Sequence, residues 1–409
     1  MASFYLENMM VCIILGFKAL YMSLLFVAVT SSSATIPKVF DVQSYGAKGD
    51  GKTDNTNAFT NAWKDACAYN GRSRVYIPRG TFYLGGVTFK GPCSGKISFF
   101  IDGTLLAPSN NDDIKSDTWI SFQYIDYLTI TGSGIIDGQG KESWPHDECY
   151  KHDKCPLLAM NMGFDFVNNS RIKWITSRNS KAGHFNFFNV DHFNVTDVTI
   201  TAPGDSPNTD GIKIAFSSNV QISNTHIGTG DDCIAILSGN TNFDIYNVTC
   251  GPGHGISVGS LGKSKEEKNV EGITVRDSVF TGTIAAVRIK TWESSASTIA
   301  ISKIVYENIQ MVDVESPIII DQTYCPFPPC EKAGDSHIQV QDVTLKNIWG
   351  TSRSKVAVNL ECSKSFPCKD IQLIDINLKN NGPGGPATAL CENVKGSARG
   401  TMVPPSCLN

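Results

Sequence analysis

The feature that most limits how this chain can fold is a loose internal repeat. Short Ile/Val/Phe-rich runs recur along it, each carrying an Asn or Asp at a similar place: Phe193–Ile200, Val220–Ile227, Phe243–Thr249, Ile273–Phe280, Ile299–Ile309, Ile338–Ile348 and Ile371–Leu378. With Asp197, Asn224, Asn247, Asp277, Asn308, Asn347 and Asn377 as the mark, the spacings are 27, 23, 30, 31, 39 and 30 residues. A period in that range means a solenoid, whose units cannot bury their apolar faces alone and stack to do so. Each unit holds two or three short strands and no stretch long enough for a crossover helix. The expected class is therefore all-β, a β-helix. Asn at the repeated position tolerates a left-handed backbone and can stack on its equivalents above and below. A β-sandwich, with turns at roughly 8–12-residue spacing, would not need the recurring Ile-x-Val/Ile-x-Asn/Asp unit.

One segment near the front reads differently. After Asp54-Asn55-Thr56, the residues Ala58, Phe59, Ala62, Trp63, Ala66 and Cys67 form an i, i+3/i+4 stripe. This predicts a short N-terminal capping helix with Asp or Thr as its N-cap. Length alone, 409 residues, suggests two or three domains. A solenoid removes that need, and residues 35–409 are expected to form one β-helix domain. Charged residues are 18% and the formal net charge is −4. That balance argues against a nucleic-acid partner, because phosphate binding leaves a basic footprint.

The N-terminus and the cysteines indicate a compartment. Val11 to Val29 is largely apolar, interrupted by Lys18, and is followed by Ser31-Ser32-Ser33-Ala34. Small residues after an apolar run fit a secretory signal spanning 1–34, with a mature start near Thr35. The alternative is a signal anchor, since about 19 residues approach the length that crosses a bilayer. Cleavage leaves no membrane partner, because no other stretch is long and apolar enough. Besides Cys12 there are twelve cysteines, many in close pairs: 149/155, 233/250, 325/330, 362/368 and 391/407. None shows metal-like C-x-x-C spacing, so disulfides are expected rather than a metal site. Cys233 and Cys250 flank neighbouring motif loops and are expected to bond to each other. The sequons at Asn168, Asn194 and Asn247 fit a secreted glycoprotein.

Polar residues concentrate between Asn208 and Lys290. The segments are Pro207-Asn208-Thr209-Asp210-Gly211, Gly228-Thr229-Gly230-Asp231-Asp232-Cys233, Gly251-Pro252-Gly253-His254-Gly255 and Val287-Arg288-Ile289-Lys290. Asp210 to Asp231 is 21 residues, Asp232 to His254 is 22, and His254 to Arg288 is 34. Each gap is about one coil, which brings the four segments onto one face at intervals of roughly 4.8 Å. Three carboxylates beside an imidazole suit glycoside hydrolysis, where one carboxyl protonates the leaving oxygen and another activates water or attacks carbon. Crowded carboxylates cannot all ionise, so their acid strengths separate. Arg288 and Lys290 alternate on a strand and face one side, suiting an anionic sugar such as a uronic acid. Taken singly, an Asp-Asp loop is usually a solvated turn or a Ca²⁺ ligand, and a His between glycines is usually structural. An Arg-x-Lys strand is usually surface charge. The spacing that unites them is what carries the reading.

These four segments resemble the Asn-Thr-Asp, Gly-Asp-Asp, Gly-His-Gly and Arg-Ile-Lys motifs of polygalacturonases, glycoside hydrolase family 28. The resemblance runs from Phe40-Asp41-Val42 and Gly46–Gly51 to the C-terminal cysteines. It implies a right-handed parallel β-helix and inverting hydrolysis of the α-1,4-galacturonosyl bonds of pectin. It further implies Asp231 as general acid, Asp210 and Asp232 as the pair that positions and deprotonates water, and His254 as support for acid and substrate. Arg288 and Lys290 would hold galacturonate carboxylates, with Tyr324 beside them and Asn208 supporting subsite contacts. No cofactor or metal is implied. Asp205–Ile212, Gly253–Gly262 and Tyr324-Cys325-Pro326 look closest to plant pollen-type exopolygalacturonases, implying a monomeric extracellular wall enzyme that attacks non-reducing ends. The insert Trp144–Cys155, with a Cys149–Cys155 staple, is the candidate for closing the cleft. Lys181-Ala182-Gly183-His184 departs from the family, which usually has aromatics before the His. Competing readings are an endopolygalacturonase, a non-catalytic wall-polysaccharide-binding β-helix, and a Ca²⁺-dependent pectate-type lyase.

Overall fold

A computed structural model describes residues 36–147, 158–326, 328, 330 and 334–408. The expected signal, Cys12, and the Cys149–Cys155 pairing lie outside the described residues. Among the described residues, twenty-eight strands join in one hydrogen-bonded system. Their pairings are parallel, and strands of the inner coils bond to their equivalents one coil before and one coil after, as Ile212 pairs with Phe185 and with Ile234. This is the expected all-β parallel β-helix. No helix among these residues is long and apolar enough to cross a membrane.

Strict register makes each inward position a column of like side chains. Phe89, Phe122, Phe164 and Phe187 are successive partners, with ring centroids 5.2, 5.6 and 4.9 Å apart. The same column continues as Ile214, Ile236, Val258, Ile289, Ile320 and Leu360, all buried. Aromatics therefore fill this column in the N-terminal coils and branched aliphatics fill it in the coils that carry the polar motifs. The first coil is closed by helix α1, Thr56–Ala68, which turns Phe59 and Trp63 onto Phe82, Phe89, Phe99 and Phe122. Its N-cap is Asn55 rather than Asp or Thr, and the Asn55 side chain makes no cap bond. Buried, it donates instead to the carbonyls of Lys48, Thr53 and Tyr83, while Asp54 accepts the Thr56 N–H.

The Asn/Asp mark is a corner. Asp197, Asn224, Asn247, Asp277, Asn308 and Asn347 all hold φ between 49° and 57°. Their side chains bond up the stack, Asn247 to Asn224 at 2.8 Å, Asn308 to Asp277 at 2.9 Å and Asn347 to Asn308 at 2.8 Å. In the last unit the corner is Asp375, with φ 54°, and not Asn377. Lys346 pairs with Ile374 and Ile348 with Ile376, which sets residue 375 over Asn347. The apolar pattern around Asn377 mimics the unit two residues out of phase.

Left-handed backbone costs an L-residue roughly 1–2 kcal/mol, less for Asn and nothing for Gly. Asn308→Val is therefore expected to lower stability by about 1–2 kcal/mol relative to Asn308→Gly. Denaturant unfolding with disulfides intact checks this, and equal stability of the two variants contradicts it.

Candidate active site

The four polar segments meet on one sheet. Ile212, Ile234, Ile256 and Val287 are successive partners, so the segments leading into them occupy consecutive coils. The loops are themselves rungs: Gly211 N–H donates to Asp232 O at 2.9 Å, His254 N–H to Asp231 O at 2.9 Å, and Cys233 N–H to Gly255 O at 2.8 Å. The glycines permit this closeness. A Cβ on Gly230 would stand 1.9 Å from the Ser206 carbonyl, and Gly255 holds φ 87° with the Ala285 carbonyl 2.4 Å from any Cβ. Buried Thr209 accepts the Gly230 N–H at 2.9 Å, tying the first loop to the second. Cys233 and Cys250 are bonded, with Cα atoms 6.0 Å apart. Further disulfides join Cys67–Cys93, Cys325–Cys330, Cys362–Cys368 and Cys391–Cys407.

Each carboxylate has its own basic partner. Asp210 Oδ2 lies 3.0 Å from Lys213 Nζ, Asp231 Oδ1 lies 2.9 Å from His254 Nδ1, and Asp232 Oδ2 lies 2.8 Å from Lys290 Nζ. Asp232 Oδ1 also accepts the Ser257 hydroxyl at 2.7 Å, with Arg288 Nη1 farther off at 4.0 Å. The Asp232 N–H donates to Asp231 Oδ1 at 2.7 Å. Tyr324 borders the cations, its ring centre 5.5 Å from the Arg288 guanidinium and 5.4 Å from Lys290 Nζ. Asn208 turns elsewhere: its amide donates to Asp147 Oδ2 at 2.7 Å, fastening the start of the 144–155 insert beside the cluster. Trp144 Nε1 donates to the Ser180 carbonyl at 3.0 Å in the same region.

The environments split the acid strengths. Burial, only partly offset by Lys213 and reinforced by the charges of Asp231 and Asp232, pushes Asp210 up to about 6. Burial would raise Asp231 as well, but the His254 hydrogen bond and charge, Lys290 and the Asp232 N–H hold it down at about 2. Burial opposes the charge on His254, yet its bond to Asp231 prevails and raises its pKa. Asp231, Asp232 and His254 offer three ligand atoms within 4.8 Å of one another, enough to consider a cation. The Asp231 and Asp232 oxygens already have partners in His254, Ser257 and Lys290. Glu293 near Cys325 and Cys330 is the other such group among the described residues, and its sulfurs are spent in a disulfide.

The structure gathers Asp210, Asp231, Asp232, His254, Arg288, Lys290 and Tyr324 in one cluster, with Asn208 at its edge. Sequence reasoning missed Lys213 and Ser257. Ser257 was findable, since it alternates with Ile256 and Val258, whereas the only sequence signal for Lys213 is an Ile-Lys pair like Ile289-Lys290, which a solvated strand lysine also gives. The departure at 181–184 proves structural. Lys181 is buried, its ammonium donating to the Pro108 carbonyl at 2.6 Å and the Gly138 carbonyl at 2.5 Å. Buried His184 bonds Ser177 at 2.9 Å, and burial depresses its pKa to about 3.

Two pH dependences follow with opposite sign. Asp210 has a folded pKa above 3.8, so its ionisation costs stability as pH rises from 3.8 to about 6. Asp231 has one below 3.8, so it contributes stability that is lost as pH falls from 3.8 to about 2. Thermal midpoints of Asp210→Asn and Asp231→Asn should each flatten their own window relative to the parent protein. Flattening in the other's window contradicts the assignment. Replacing Cys233 and Cys250 by Ser is expected to cost about 2–5 kcal/mol in the same assay.

The model for glycosyl hydrolases family 28 matches residues 67–407, and one for rhamnogalacturonase A/epimerase, pectate lyase-like, matches residues 39–89. An exopolygalacturonase of Platanus acerifolia is 46% identical over 367 residues, spanning 90% of this chain and 97% of that one. An exopolygalacturonase of Zea mays is 46% identical over 369 residues, spanning 90% of each. Among solved structures, the endo-xylogalacturonan hydrolase of Aspergillus tubingensis superposes with a TM-score of 0.75 at 23% identity, covering 88% of this chain and 100% of its own.

Proposed function

The chain belongs to glycosyl hydrolases family 28, and from that premise we propose that it is an exopolygalacturonase. It hydrolyses the α-1,4-galacturonosyl bonds of polygalacturonate with inversion and releases galacturonate from the non-reducing end. The observation that carries the reading is the cluster of three buried or half-buried carboxylates, each paired with a basic partner of its own, with Arg288 to spare for the substrate. A neutral sugar gives no use for that surplus positive charge; a uronate does. Its near relatives are named exopolygalacturonases. The Asn208–Asp147 bond holds Asp147, at the start of the insert, against the segment that carries Asp210, and that placement supports exo attack. The apolar Val11–Val29 run, followed by small residues, supports a secreted enzyme of the plant cell wall.

In the mechanism, Arg288 and Lys290 hold a galacturonate carboxylate and bring the glycosidic oxygen to Asp231. In the free site Asp210 is held above the usual carboxylate range and Asp231 below it, while the bond to Asp231 raises His254. A bound carboxylate draws on Lys290 and Arg288, and the sugar expels water. Both effects raise Asp231 towards the protonated form that a general acid needs. His254 Nδ1 carries the proton 2.9 Å from Asp231 Oδ1, the shortest route for delivering it. Asp210 and Asp232 then take water on the opposite face of the sugar. As the proton leaves Asp231 for the departing oxygen, the water loses one to that carboxylate pair, and the new C1–OH has inverted configuration.

Asp231→Asn is expected to lose ~10²–10⁴ in turnover of polygalacturonate. It should retain most activity on a galacturonosyl fluoride, whose leaving group needs no proton, whereas Asp210→Asn should lose both activities. The reverse pattern would make Asp210 the acid. Viscometry beside a reducing-end assay, with chelator present, tests the remainder. Slow viscosity loss with monogalacturonate as first product is expected. An early steep fall means endo action, and ultraviolet-absorbing, chelator-sensitive products mean a lyase.

A further inference from the structure

On the assumption that polygalacturonate is the substrate, we propose that Lys213 is a specificity residue. It takes the carboxylate of the galacturonate on the side of the scissile bond away from Arg288. Lys213, Ala235, Ser257 and Arg288 are successive partners on four coils. Their strand neighbours Ile212, Ile214, Ile234, Ile236, Ile256, Val258, Val287 and Ile289 are buried in the core, so these four project from the outer face of the sheet. Three coil steps set the Lys213 and Arg288 positions roughly 14 Å apart. Asp231, Asp232 and His254 lead into the two coils between them.

Nothing tall stands in this column between the two cations. Ala235 contributes a methyl group, and the Ser257 hydroxyl is turned onto Asp232. The cations are also unevenly committed. Lys290 is bound to Asp232 and only 8% exposed, whereas the Lys213 side chain is 35% exposed. Asp210 takes one of the three donors on the Lys213 ammonium, leaving donors for a ligand. Arg288, 4.0 Å from Asp232, is likewise unspent. A bond cut at Asp231 joins two uronates, whose carboxylates then find one available cation towards each end. Beyond Lys213 the column continues as Asn186, Gly163 and Ser121, all uncharged. Lys213 is thus the last cation of the column in that direction, which suits a single uronate held at that end.

The test uses trigalacturonates bearing one methyl ester, on either of the two units flanking the bond that is cut. The parent protein should cleave each at least about tenfold less efficiently than free trigalacturonate, the worth of one charge-assisted hydrogen bond. Lys213→Met should abolish the penalty for one isomer and keep the other. Arg288→Met should do the converse, and Lys213→Arg should behave as the parent. Lys213→Gln provides a second variant should Met disturb folding. Retention of both penalties in the Lys213 variants, or equal loss of both, overturns the assignment and leaves Lys213 only as the partner of Asp210. If the parent cleaves neither trigalacturonate nor polygalacturonate, the hydrolase reading itself falls and takes the assignment with it.

Discussion

The parallel, in-register ladder between coils is the constraint on which the rest depends. A strand in this fold has no partner within its own coil, so its backbone groups are satisfied by the coils before and after. That requirement holds each coil at one spacing and one phase relative to its neighbours. The loops bearing Asp210, Asp231, Asp232 and His254 obey it too, since their backbone N–H and C=O groups bond loop to loop. The site is therefore placed by the same hydrogen bonds that build the solenoid, and the Cys233–Cys250 bond secures two of the loops where ladder pairing ends.

Placing three carboxylates on adjacent coils brings an electrostatic cost that the chain meets locally. Each acid has a basic partner within 3.0 Å. The pairings are unequal in kind. Asp232 is locked between Lys290 and Ser257, Asp231 shares a proton with an imidazole, and Asp210 leans on a lysine that is a third exposed. Two of these chemically identical side chains, Asp210 and Asp231, thereby acquire different acid strengths, which is what separating an acid from a water-activating group requires.

Much of this was legible in the residues. The Asn/Asp repeat specified a β-helix because a left-handed corner every coil leaves few side chains to choose from. The one-coil gaps between motifs specified a shared face. The repeat misled at Asn377, where two apolar registers two residues apart look alike and only strand pairing with Asn347 identifies Asp375. The helix cap misled because Asn55 is spent on tertiary contacts. Lys213 escaped notice because a lone lysine on a strand normally reads as solvated surface. Its meaning comes from Asp210 three residues back and Arg288 three coils on, a relation that exists only once register is known. Asn208 was legible as part of the site but not as the anchor of Asp147, 61 residues away.

The most direct test of the account is a crystal structure of the Asp231→Asn protein with an oligogalacturonate bound. One carboxylate should lie between Arg288 and Lys290, with the glycosidic oxygen beside residue 231 and the chain's non-reducing end facing the Trp144–Asp147 side of the cleft. A sugar bound on another face of the solenoid would contradict it, as would an uncharged part of the sugar at the Arg288–Lys290 pair.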